Sequence, residues 1–456
     1  MRYLLSIWIL VCISLCVTGQ SNAGFKLLRY DEDYGYLRQD SNRNWYQQTK
    51  YDPVFSNSYL SFGGEVRYQY LYFKNEDWGA APKDDDGFIL TRWLAHADLH
   101  SGNHFRAFLQ LQSSLANGMA KAPSPVDESQ LNLHQGFIDV YLPQGQGKSV
   151  TLRIGRQELA YGSQRLVAVR DGPNNRQSFD AARLIYTVNS LRVDAFYSHY
   201  VRAQQKIFGD GFNRDGKFWG IYAVRNKIPF GGNIDLYYLG LWKRRAGFDD
   251  GQGEELRHSI GSRLWAARGG FRYDMEGVYQ FGKFDGRQID AWTLSVNAGY
   301  KFNRLRFNPE IALKTELISG DRQYKDSKLQ TFNPLFPRGG YFGLVSLIGP
   351  SNLFDLHPSL GLDLTKKLFF NMDCDIFWRY SRNDGIYGPN VVLIYSGKNS
   401  DHKYVGKQFS GDLNYSPNKF LYFRWEFTWF NTGAYLKDVE PGKDILFAAF
   451  TAQLKF

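Results

Sequence analysis

The sequence predicts an all-β protein: a closed transmembrane antiparallel β-barrel of eighteen strands, with sixteen as the next count. Three observations predict it. Aromatic residues make up 17% of the chain and Gly 45 of its 456 positions, yet the mean hydropathy is polar at −0.43. No apolar run after residue 23 is long enough for a spanning helix. Apolar and polar residues alternate through segment after segment, as they must where one face of a strand meets lipid and the other meets water.

The alternation is clearest at 60–72. Leu60, Phe62, Val66, Tyr68, Tyr70 and Tyr72 share one face, and Ser61, Glu65, Arg67 and Gln69 the other, until Leu71 breaks the pattern. Further on, Leu305, Phe307, Ile311 and Leu313 oppose Arg304, Arg306, Glu310, Lys314 and Glu316. Ionised groups at every second position forbid a soluble sandwich core on that face. Such segments place strands at 59–73, 88–100, 103–113, 133–142, 149–156, 180–188, 190–201, 217–225, 233–243, 256–266, 269–281, 288–300, 303–317, 354–364, 368–380, 403–415, 419–430 and 445–456.

The connections support that count. After each even-numbered strand the link is short, as at Ser101-Gly102, Asn189 or Ala267-Arg268. After the odd-numbered ones it is long, as at 157–179, 244–255 and 318–353, with 282–287 as the exception. Short periplasmic turns and long external loops produce that rhythm. A β-propeller would show a fixed blade repeat, and none is visible.

The two ends carry export signals. Arg2, the apolar run Leu4 to Val17 and the small residues Ser21-Asn22-Ala23 read as a signal peptide over 1–23, with cleavage before Gly24. An anchor helix would need a longer run, and Leu15 before Cys16 makes a poor lipobox. The organisation that follows is a periplasmic segment at 24–58 and a barrel at 59–456, in the lipids of the outer membrane of a Gram-negative cell. Only Cys374 then remains, so no intrachain disulfide forms. The last strand alternates Leu446, Ala448, Phe450, Ala452, Leu454 and the terminal Phe456. It resembles the signal read by the barrel-assembly machinery.

Lys and Arg total 55 against 45 for Asp and Glu, a net charge of +10. That surplus suits an acidic partner, and an exported chain rarely meets nucleic acid. The densest basic chemistry lies at 153–183, with six Arg, three acids and no Lys. Arg without Lys points to planar, bidentate carboxylate recognition. The Asp171-Gly172-Pro173-Asn174 turn signal allows the segment to fold back into the barrel. The candidate constriction is therefore Arg156, Arg165, Arg170, Asp171, Asn174, Arg176, Asp180 and Arg183. Parity adds Arg67, Arg92, Arg106, Arg153, Arg192, Arg306, Arg379 and Arg424 as lumen-lining cations that supply an attractive field. The bland alternative is a solvated loop of weak ion pairs.

Four stretches carry a family resemblance: Leu28-Arg29-Tyr30-Asp31-Glu32-Asp33, Gly63-Gly64-Glu65-Val66-Arg67, the block from Gly155-Arg156-Gln157-Glu158 to Arg183, and Thr331-Phe332-Asn333-Pro334-Leu335-Phe336-Pro337 with Gly340-Tyr341-Phe342-Gly343. In these the sequence resembles the alginate export family of outer-membrane proteins. The resemblance implies a monomeric eighteen-stranded barrel with an arginine-rich constriction, through which an anionic polysaccharide leaves the cell. An uptake porin for small anionic or oligosaccharide nutrients has the same physics with opposite flux.

No cofactor and no metal site are expected. His96, His100 and His104 are evenly spaced, but four strand residues cover about 13 Å, too far for one ion. Glu310 and Glu316 could imitate the carboxylate pair of a glycosidase. A wet lumen needs polar groups in any case, so no enzyme is expected.

Overall fold

The structure, a computed structural model, describes residues 24–456 apart from 144, 146, 230 and 440. The expected signal peptide lies outside the described residues. The chain divides into two compact units, the first ending at Asp33 and the second spanning Tyr34–Phe456. In the first, Arg29–Asp31 form a 3-10 turn, and Arg29 Nε donates to Glu32 Oε1 at 2.7 Å.

The second unit holds a closed barrel of eighteen long strands, each antiparallel to its neighbours. They are β1 (Ser58–Lys74), β2 (Phe88–Ser101), β3 (Phe105–Asn117), β4 (Ser129–Pro143), β5 (Lys148–Gln157), β6 (Phe179–Val188), β7 (Leu191–Tyr200), β8 (Gly216–Arg225) and β9 (Asn233–Phe248). The circuit continues through β10 (Gly251–Arg268), β11 (Phe271–Phe284), β12 (Arg287–Lys301), β13 (Glu310–Ile318), β14 (Leu353–Asp363), β15 (Leu368–Arg379), β16 (Tyr404–Tyr415), β17 (Leu421–Thr432) and β18 (Ile445–Lys455). β18 closes on β1 in the register Glu65 to Lys455 through Lys74 to Leu446. Gly64 and Phe456 add a reciprocal pair of backbone hydrogen bonds at 2.8 and 3.0 Å. Closure satisfies every strand edge, which is what lets an all-β chain sit in lipid.

Side-chain parity follows the alternation. On β1, Ser61, Glu65, Arg67 and Gln69 are buried inside, while Phe62, Tyr68 and Tyr70 are exposed outside. The same outward face carries Trp93, Leu109, Ile154, Tyr197, Tyr279, Leu313 and Phe427 around the circuit. Exposed apolar and aromatic groups of this density are stable only against hydrocarbon and its interfaces.

Two local features differ from the sequence reading. Residues 303–309, expected to begin a strand, form a turn, and β13 starts at Glu310. Phe307 and Asn308 take left-handed backbone angles and Pro309 lacks a donor, so the ladder cannot include them. The expected long loop at 244–255 is instead a hairpin in which β9 and β10 run on to a turn at 249–250. Gly251, at φ +128°, accepts the tight reversal. Residues 34–57, ahead of β1, pack against the barrel. The helix α1 (Trp45–Lys50) sends Lys50 Nζ to the Phe62 carbonyl at 2.7 Å, and Tyr46 packs edge-on to Phe420.

Two connections turn inward. Residues 158–178, between β5 and β6, and 319–352, between β13 and β14, meet within the barrel. Ala168 N donates to Phe336 O and Phe336 N to Leu166 O, both at 2.9 Å. Phe336 then packs on Phe179, Tyr200 and Phe218 of the inner wall, with ring centroids 4.9 to 5.4 Å apart. A water-filled lumen would not tolerate Phe at those wall positions. Their burial beneath these loops explains the composition.

Candidate functional site

The inward segment 158–178 is held by its turn. Arg67 donates to the Asp171 and Pro173 carbonyls at 2.6 and 2.8 Å. Asn174 Nδ2 lies 2.8 to 3.2 Å from the carbonyls of Thr91, Leu115 and Asp127. Ser114 Oγ donates to Asn174 O at 3.0 Å. Arg67 and Ser114 sit on inward positions of β1 and β3, Thr91 and Leu115 offer backbone carbonyls of β2 and β3, and Asp127 lies in the loop that follows β3.

A charged network ties the same turn down. Arg92 Nη2 reaches Asp171 Oδ1 at 2.6 Å and Glu65 Oε1 at 2.5 Å. Arg176 bonds Glu158 at 2.7 Å and Asp171 at 3.2 Å, and His134 Nε2 lies 2.8 Å from Glu158. Burial pushes the Asp171 carboxyl up, but Arg92, Arg176 and Arg67 outweigh that and hold it well below the ordinary carboxylate range. The Asp171 carboxylate therefore stays ionised and clamps Arg92 and Arg176, while Arg67 holds its backbone carbonyl.

The remaining arginines are largely paired as well. Arg106 meets Asp98 at 2.6 Å, Arg153 meets Asp139 at 2.7 Å, and Arg424 meets Glu426 at 2.5 Å. Arg183 pairs with Asp194, which Arg192 also meets at 3.0 Å. Arg165 spans the lumen to Glu276 at 3.1 Å and also binds Glu316. The expected attractive field of free lumen cations is thus compensated by carboxylates directly opposite, as Asp139 is to Arg153, or two positions along the strand, as Glu426 is to Arg424. The physical reason is burial, since an unpaired guanidinium in this packed interior would be too costly.

Four expected positions differ outright. Arg156 and Asp180 pair at 2.8 Å, but on the outward parity shared with Leu152, Ile154 and Leu184. There Arg156 Nη2 reaches the Asp210 carbonyl at 3.3 Å, so the pair fastens the 201–215 loop to the rim instead of facing the pore. Arg306 is exposed in the 303–309 turn, 4.6 Å over the Phe307 ring. Arg379 is buried, but its guanidinium is consumed by the carbonyls of Arg382, Asp384, Gly397, Ser400 and His402. It organises the loop after β15 and offers no charge to the lumen.

Arg170 stands apart. Among the six arginines of 153–183 it is the one with no carboxylate partner among the described residues. It lines a cavity of about 150 Å³ together with Gln112, His134, Asn175, Arg176 and Tyr200. Its Nε is buried without a hydrogen-bond partner, its backbone is left-handed at φ +56°, and burial lowers its guanidinium's proton affinity. An anion entering this cavity would meet Arg170, with Asp210 the one carboxylate among the lining residues.

Sequence reasoning missed the second inward loop as a partner of the first. The signal was present: Phe332, Pro334, Leu335, Phe336 and Pro337 form an apolar run inside a nominal external loop. The buried wall acids Glu255, Glu276 and Asp235, which pair with Arg257, Arg165 and Arg263, were equally unmarked. The three evenly spaced histidines hold no common site. His96 stacks on Phe108, His100 on Tyr59, and His104 lies 3.3 Å from the Tyr141 carbonyl.

Comparisons place this architecture among known proteins. A BenF-like porin from Pseudomonas fluorescens Pf-5 superposes at TM-score 0.59 with 10% identity, covering 87% of this chain and 98% of its own. OccAB1 from Acinetobacter baumannii gives 0.59 with 13% identity, covering 90% and 99%. OccK2 (OpdF) from Pseudomonas aeruginosa, in complex with glucuronate, gives 0.57 with 11% identity, covering 87% and 98%. At such identities the likeness is one of fold. No curated protein matches the sequence. The model of the alginate export family matches residues 58–443. This chain belongs to the alginate export family and is a porin-like channel of the outer membrane.

Proposed function

We propose that the barrel passes an anionic polysaccharide or oligosaccharide outward, as a monomeric, non-catalytic channel delivered to the outer membrane with a signal peptide and assembled through its C-terminal strand. The observation that carries this reading is Arg170, a cation without a carboxylate partner, facing a polar cavity beneath the inward loops. The paired arginines hold the 158–178 segment in place, and Arg170 with Tyr200 reads the charge that passes. Weak, single-cation contact suits conduction, because a site must release as readily as it binds. The Val167 to Phe336 contact closes the two loops on each other. Passage of a chain therefore needs that contact to part.

Uptake of small uronates is the second reading, favoured by the glucuronate complex of OccK2 and by the cavity's size, about 150 Å³. Reversal potential across a planar bilayer under a salt gradient tests the charge reading. Arg170→Glu should move selectivity from anion toward cation, and the shift should fade in high salt. An unchanged reversal potential in a folded, conducting variant removes Arg170 from the path. Current block by polyuronate compared with monomeric glucuronate separates the polymer reading from the small-anion one.

A further inference from the structure

On the lumen wall away from the arginine network, β14 and β15 bring a different set of groups together. The register pairs Leu356 with Ile376 and Ser359 with Asp373, which sets His357 opposite Asp375. His357, Asp373 and Asp375 each direct one donor atom to a common point, all within 4.8 Å of one another. Asp373 Oδ1 lies 3.7 Å from His357 Nε2, and Asp375 Oδ1 contacts His357 Nδ1. Two strands in register make this a built arrangement on rigid backbone.

Acids alone do not make a site, but the fourth group here points to one. Asp355 precedes His357 by two residues on the same inward face of β14. It is fully buried, and neither of its carboxylate oxygens has a hydrogen-bond partner. Its electrostatic neighbours are Glu316, Lys314, Asp375 and His357. Lys314 makes no hydrogen bond to it: its Nζ turns to Glu316 at 3.2 Å and lies over the Tyr341 and Phe342 rings at 4.5 and 4.6 Å. Asp375 is also fully buried, with Oδ1 against His357 Nδ1 and Oδ2 accepting from Gln408 Nε2 at 3.3 Å. A buried carboxylate with idle oxygens, beside a second carboxylate and an imidazole, carries a large desolvation cost that a cation would relieve.

We propose that His357, Asp373 and Asp375, backed by Asp355, bind one divalent transition cation of the Mn²⁺ or Zn²⁺ class on the lumen wall. The mixed donor set decides the class: imidazole suits Mn²⁺ and Zn²⁺, whereas Ca²⁺ and Mg²⁺ prefer all-oxygen shells. Donors around one ion at about 2.1 Å stand up to about 4.2 Å apart, so a side-chain shift well under about 1 Å completes the shell. His357 and Asp373 keep 17% and 25% side-chain exposure, which gives the ion an entry from the lumen. The site is independent of what the channel carries.

The test uses the full-length barrel in detergent micelles and Mn²⁺ alone. Electron paramagnetic resonance counts bound ions, and spin-echo modulation detects an imidazole nitrogen on the metal. One Mn²⁺ per barrel with nitrogen modulation is expected, and His357→Gln and Asp375→Asn should each weaken binding by about tenfold or more. Heat-modifiable gel mobility shows that each variant is folded. If a variant does not fold, the nitrogen signal of the unaltered protein decides. No one-to-one binding up to about 1 mM Mn²⁺, binding without nitrogen modulation, or binding as tight in the folded variants as in the unaltered protein overturns the proposal.

Discussion

Arg92 and Asp171 show what a single residue does in this lumen. The Arg92 guanidinium has no exposed surface and bridges the wall acid Glu65 to the loop acid Asp171. Removing one member of such a pair leaves a buried charge unmatched, at a cost of about 3–5 kcal/mol. Arg92→Gln should therefore release the 158–178 segment while the barrel persists, because the strand ladder does not depend on it. Single-channel conductance should rise and become noisier. A conductance identical to that of the unaltered protein would mean that the loop is held by its backbone contacts. At this scale the sequence was informative about residue type and poor about role. Arginine density at 153–183 correctly marked the segment that turns inward. The density alone did not bring out that Arg156 points outward, although strict alternation from the inward Arg153 places it there.

Elements carry two further predictions. β13 shows Leu313 on its lipid face at 43% exposure, mid-strand. Leu313→Arg should lower unfolding stability in a bilayer by about 2–4 kcal/mol, with Leu313→Met near neutral. Equal loss in both would show that packing, not lipid contact, governs the position. The loops 319–352 and 380–403 carry a pH dependence. Burial and then Asp384 push Asp321 up to about 7, and burial pushes Asp384 up to about 6. Both acids hold protons more tightly in the packed loops than in an unfolded chain. Their contribution is therefore fully present below about pH 4 and is lost as pH rises through 6 to 7. Amide exchange in these loops, corrected for its intrinsic rate, should be faster at pH 8 than at pH 5. Asp321→Asn should flatten that difference, and a profile unchanged by the substitution removes the pair from the account. Strand positions were legible because the period of two is local. The 303–309 segment was misread for the same reason: alternation persisted there while Pro309 and two left-handed residues ended the ladder.

At the scale of the whole molecule, closure is the decisive event. Gly64 and Phe456 make the last backbone exchange of the β1 to β18 seam. Deleting Phe456 should slow assembly in cells more than it lowers the stability of refolded barrels. The measure is the folded, heat-modifiable fraction in each setting; equal losses would assign Phe456 to stability rather than to recognition by the assembly machinery. By itself the sequence determined that this chain is a barrel, that eighteen strands suit its alternation, which face meets lipid and, save at 244–255, which connections are long. Those follow from local alternation and turn chemistry, which any one stretch of chain displays. Only the tertiary structure decided that loops 158–178 and 319–352 meet inside and that most lumen arginines are already neutralised. It also decided that Leu71, the break in the β1 pattern, packs inward against Phe88, Leu90 and Val345. Each of these depends on pairs far apart in sequence brought together by closure, and a buried charge selects its partner by proximity in space.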